Sequence, residues 1–162
     1  MVLALTTAAT IAACSVPLDR ELDFWIGQWQ VVENGQVTAT STVETVSGGC
    51  AIRETYRQTD GYHGTSLSFH DPVLGKWRQT WIDSTGSVGE FSGGFSEGAM
   101  RFEGETHTAS GKRVYRKMSL ERDGAGILQK SLRSMDGATW APHYEIRYQR
   151  GQSPLSPTDK GL

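Results

Sequence analysis

The chain has few of the residues that staple or metallate small domains. Its 162 residues include two cysteines and four histidines. Two cysteines make neither a disulfide framework nor a four-cysteine zinc site. His63, His70, His107 and His143 nowhere take the His-Glu-x-x-His spacing of a zinc centre. Excess charge is also lacking. Sixteen basic against 18 acidic residues give a net charge of −2, which argues against a general nucleic-acid binder. Beyond residue 17 no apolar run is long enough to cross a bilayer as a helix. There is no Gly-x-Ser-x-Gly nucleophile elbow, phosphate loop or dinucleotide fingerprint, and Gly93-Gly94 precedes no helix. Long amphipathic helices between strands are missing too, which excludes a parallel α/β sheet.

The first 17 residues carry no charge and read as the apolar and cleavage regions of an export leader, without a basic start. Ile11-Ala12-Ala13-Cys14 resembles a bacterial lipobox, in which a lipidated cysteine becomes the mature N-terminus and anchors the protein to a membrane. Lipidation would leave Cys50 a lone thiol. Without it, pairing of Cys14 with Cys50 stays open. These features point to an exported protein, periplasmic or membrane-anchored.

What is abundant is glycine, at 19 residues, and it falls in turns. Asn34-Gly35, Gly48-Gly49, Asp60-Gly61, Pro72 to Gly75, Thr85-Gly86, Glu97-Gly98, Ser110-Gly111, Asp123-Gly124 and Asp136-Gly137 recur about every dozen residues. Asn-Gly and Asp-Gly supply the positive φ of hairpin turns. Nine turns separate ten strand-length segments: 26–33, 36–46, 50–59, 63–70, 76–83, 88–95, 99–108, 112–121, 126–134 and 139–150. The fold class expected is all-β, a ten-stranded antiparallel up-and-down barrel over 18–150. Closure removes both sheet edges, and ten strands leave a lumen. Leu18, Leu22 and Trp25 share a helical face after Pro17, so a short helix over 18–25 is expected to plug one end. Pro142 belongs near its strand's start or at a bulge. The tail over 151–162 is expected to be disordered.

Alternation assigns one face of each strand to the lumen. Cys50, Ile52, Glu54 and Tyr56 share a face, as do Trp77, Gln79, Trp81 and Asp83. So do Met100, Phe102, Gly104 and Thr106; Val114, Arg116, Met118 and Leu120; and Ile127, Gln129 and Ser131. The apolar members choose the inward side and carry Glu54 and Arg116 in with them. A buried charge must be paired or solvated, so Glu54 and Arg116 are expected to meet across the lumen or through water. The expected pocket takes a small, hydrophobic or amphipathic molecule. Arg116 holds its anionic group, Glu54, Gln79 and Gln129 add polar contacts, and Tyr56, Trp77, Trp81 and Phe102 form the walls. The pattern requires no cofactor or metal. A second reading makes Glu54 a base and Arg116 an anion stabiliser in a lyase or isomerase.

The segment Leu22-Asp23-Phe24-Trp25-Ile26-Gly27-Gln28-Trp29 resembles the start of calycins, the superfamily of lipocalins, fatty-acid-binding proteins and nitrobindins. With Gly48 to Glu54, Asp71-Pro72, Gly75-Lys76-Trp77, Gln79 to Asp83, Ser134 to Trp140, Tyr148 and Arg150, the chain resembles the bacterial family called domain of unknown function 1579. The resemblance implies a lipocalin-like barrel whose Trp29 closes one end beneath Arg147 or Arg150. His143 to Arg150 also resembles the last nitrobindin strand, which implies haem ligation by His143 as a third reading. Against it, alternation sets His143 on a solvated face with Glu145 and Arg147.

Overall fold

A computed structural model of the protein describes residue 14 and residues 17–151. Ten strands follow in order: β1 (Gly27–Glu33), β2 (Gln36–Val46), β3 (Ala51–Gln58), β4 (His63–Asp71), β5 (Lys76–Asp83), β6 (Val88–Ser96), β7 (Ala99–His107), β8 (Arg113–Asp123), β9 (Gly126–Ser134) and β10 (Ala141–Gln149). Each pairs antiparallel with its sequence neighbours. β1 also pairs with β10, through Gln30 to Val32, and the sheet closes into an up-and-down barrel. Every strand lies within two residues of the range read from the turns. The turns set the register: Asn34-Gly35 and Glu97-Gly98 both have positive φ at two successive residues, the hairpin geometry that matches strand twist.

The meander gives the barrel two distinct ends. One is ringed by the β1–β2, β3–β4, β5–β6, β7–β8 and β9–β10 turns. The other carries the remaining turns and the residues before β1. A dense layer fills this second end. Leu22, Trp25, Trp29, Val43, Ile52, Trp77, Met100, Phe102, Leu120 and Ile127 are buried there in one cluster.

The N-terminal plug is not an α-helix. Two 3-10 turns, Pro17–Arg20 and Asp23–Trp25, replace the helix expected over 18–25. The segment is too short to be helical on its own account, and its contacts pull in several directions. Glu21 Oε2 accepts from Trp77 Nε1 at 3.1 Å, Asp19 Oδ1 lies 3.3 Å from His70 Nδ1, and the Phe24 ring packs 6.2 Å from Phe95. These partners sit on β5, β4 and β6, and no single helical face meets all three. Leu22 and Trp25 still reach the core, each worth about 2–3 kcal/mol of burial. His70 thus lies at this closed end.

At the closing seam Arg150, not Arg147, covers Trp29, with its guanidinium 4.8 Å from the ring centroid. Arg147 instead pairs with Asp123. Gly27 makes this possible. A Cβ there would come within 3.3 Å of both the Trp29 ring and Arg150 Nη1, and its φ of +154° is rarely adopted by other residues. Trp29 Nε1 donates to the Trp25 carbonyl at 2.8 Å, tying β1 to the preceding turn.

Cys14 is bonded to Cys50 in a disulfide. Cys50 therefore is not a lone inward thiol; it follows the turn Ser47–Gly49 just before β3. The leader expected over 1–17 and the tail expected over 151–162 otherwise lie outside the described residues. Among the described residues no helix is long and apolar enough to cross a membrane.

Candidate functional site

A cavity of about 580 Å³ occupies the barrel between the dense layer and the opposite rim. Its depth follows from register. Glu33, Gln58, Asp60, Tyr62, Asp83, Thr108, Val114 and His143 line it at the first rim, where odd strands end and even strands begin. Trp25 lines it from the closed end. The volume suits a small organic molecule.

Glu54 lies in the lining and is buried. Loss of hydration pushes its carboxyl up to about 7, and the hydrogen bonds it accepts from Ser41, Tyr148 and Ser66 offset only part of that cost. Ser41 Oγ donates to Oε1 at 2.8 Å and Ser66 Oγ to Oε2 at 3.3 Å. Tyr148 Oη stands 3.1 Å from Glu54 Oε1 and 2.9 Å from Gln129 Oε1. One hydroxyl proton serves one acceptor at a time. A protonated Glu54 removes the conflict by donating to Tyr148, which then donates to Gln129. Gln129 Nε2 donates in turn to Tyr144 Oη at 3.1 Å. Burial pushes Tyr148 and Tyr144 up as well, so both phenols stay neutral.

Arg116, on β8, has a different standing. Its Nε donates to Thr106 Oγ1 at 3.3 Å, while its buried Nη1 has no hydrogen-bond partner. Burial and neighbouring Arg133 lower its pKa, yet a guanidinium remains charged at any neutral pH. No direct ion pair joins it to Glu54, whose carboxyl meets Ser41, Ser66 and Tyr148 instead. A cavity-lining guanidinium without an ion-pair partner has the chemistry to receive an anion.

His143 keeps the exposure read for it and yet also lines the cavity mouth. The cause is a bulge. β10 slips register against β9 between Pro142 and Tyr144, so His143 is an extra residue outside the alternation. Its ring lies 5.0 Å from that of Tyr144. Burial, then Arg116 and Arg133, push its pKa down to about 4, and it is neutral at pH 7. Opposite, Asp83 closes β5. Burial opposes its charge, but hydrogen bonds from Thr85, Tyr62 and Trp81 prevail and hold it below its ordinary value.

The structure brings six of the eight expected ligand residues to the cavity: Glu54, Tyr56, Gln79, Trp81, Arg116 and Gln129. Trp77 and Phe102 point inward but belong to the dense layer beneath it. Alternation decides the face of a strand and says nothing about depth along it. Tyr62, Phe91, Tyr144 and Tyr148 line the cavity and had not been assigned to it. The alternation of Tyr144 and Tyr148 with charged residues was a usable signal; Tyr62 sits in a turn, where alternation is silent. Among the described residues no three His, Cys, Asp or Glu side chains come together as a metal site. No protein-family model matches the chain, and no curated protein matches it significantly.

Proposed function

We propose that this protein is an exported calycin-like barrel that binds a small, mostly apolar anion in its lumen. The observation that carries the reading is the guanidinium of Arg116, without an ion-pair partner among the described residues, in the lining of a 580 Å³ cavity. The anionic group meets Arg116 near the open rim, and the apolar body lies against Phe91, Ile146, Tyr144 and Met118. Losing a charge-assisted contact to Arg116 weakens such a ligand by about 1.5–3 kcal/mol. The Cys14–Cys50 disulfide supports an oxidising compartment.

Titration with anilinonaphthalene sulfonate, followed by dye fluorescence, tests this. Saturable one-to-one binding is expected, weakened at least about tenfold in Arg116→Met and partly restored in Arg116→Lys. Equal affinity of wild type and Arg116→Met would overturn the assignment.

A further inference from the structure

We propose that Tyr56, Tyr62 and Trp81 form a binding site for an alkylammonium group of the trimethylammonium type, on the acidic side of the cavity mouth. The three rings line the cavity together. Tyr56 stands 6.4 Å from Tyr62 at an interplanar angle of 74°, and 6.1 Å from Trp81 at 70°. Rings meeting at such angles wall a corner, the arrangement that encloses a large, weakly hydrated cation against several π faces.

Two features suit this corner to a cation. Elsewhere in the barrel Tyr115, Trp140, Phe24 and Trp29 each have an Arg or Lys over the ring, whereas among the described residues these three rings have none. Two of the three also commit their polar hydrogens to one carboxylate. Tyr62 Oη and Trp81 Nε1 donate to Asp83 Oδ2 at 3.0 and 3.3 Å. Donation to an anion shifts electron density into a ring and makes its face more negative. Asp83 itself, with Glu33 and Asp60 on the same side of the mouth, adds fixed negative charge.

The backbone makes room for the corner. Gly64 pairs with Asp83 beside Trp81, and a Cβ at Gly64 would lie 2.2 Å from the indole. Only glycine lets that ring lie across β4. A hard metal cation would need converging oxygen ligands, and none converge among the described residues. A methylated ammonium needs ring faces and diffuse negative charge, which are present. The site deepens the lumen-binding reading and rests on it. Arg116 on β8 and the corner on β3 to β5 face each other across the mouth, so a zwitterion carrying both groups suits the cavity best.

The test is calorimetric titration of the full barrel with choline, phosphocholine and dimethylbutanol, the uncharged isostere of choline. Choline is expected to bind saturably, at least about tenfold more tightly than the isostere, and phosphocholine more tightly still. Trp81→Phe keeps a ring face and retains choline binding, while Trp81→Leu loses at least about tenfold. Co-sedimentation with phosphatidylcholine vesicles, absent in Trp81→Leu, assigns the cation to a lipid headgroup; choline binding without it assigns a free solute. Equal affinity for choline and its isostere, or equal loss in the Phe and Leu variants, overturns the site. A wild type that binds anilinonaphthalene sulfonate but not choline removes the cation site alone; binding neither removes the lumen reading as well.

Discussion

Glu54→Gln is expected to change how stability depends on pH, by about 3 kcal/mol between pH 4.5 and pH 8. Folding raises the Glu54 carboxyl from 4.5 to about 7. The folded protein therefore binds this proton more tightly than the unfolded chain does. Its contribution is fully present below about pH 4.5 and is lost as pH rises through 7. Above that, a bare carboxylate sits in the core with three hydroxyl partners and no cation. Glutamine has the shape of the protonated acid and never ionises. In chemical denaturation the variant gains on wild type steadily across this window, equivalent to roughly 6–12 °C in Tm at pH 8. His143 works in the opposite sense. Its folded pKa is lowered to about 4, so its contribution grows as pH rises towards 6.5. Solvent access weakens that effect, and it cancels when wild type and variant are compared. Parallel stability curves would mean that Glu54 is hydrated and the network around Tyr148 is absent.

Cys50→Ser is expected to cost about 2–4 kcal/mol under non-reducing conditions, because the bond to Cys14 closes a 36-residue separation in the unfolded chain. Reductant should bring wild type down to the variant and leave the variant unchanged. Cys14→Ser should match Cys50→Ser, with no further loss in the double variant. A sulfur in a disulfide is not free for a thioether, so lipidation of Cys14 and this bond exclude one another. Intact mass of the protein from its own host separates them. An acyl adduct with a free Cys50 thiol would replace the disulfide, and a reductant-insensitive Tm would accompany it.

Much of the barrel is legible in the sequence because glycine turns and alternation are local signals. Asn34-Gly35 and Glu97-Gly98 impose hairpins whatever the rest of the chain does. Once strand ends are fixed, parity places Glu54, Tyr56, Gln79, Trp81, Arg116 and Gln129 inside. The same reasoning fails where a non-local fact decides. Trp77 lies at the start of β5, at the closed end, and so falls in the dense layer, where its indole meets Glu21, a residue 56 positions away. His143 turns to the cavity through a bulge set by β9. Glu54 meets Tyr148, 94 positions away, and makes no direct pair with Arg116. The N-terminal segment forms 3-10 turns because its anchors lie on three different strands.

The lumen is tested most directly by nuclear magnetic resonance of the ring and methyl groups during titration with decanesulfonate. Shifts are expected at Phe91, Met118, Tyr144 and Ile146 and at the Arg116 guanidinium. Leu67, Ile82 and Val88, which are exposed on the outer wall, should stay fixed. Shifts confined to those outer residues, with the lumen resonances unmoved, would contradict it.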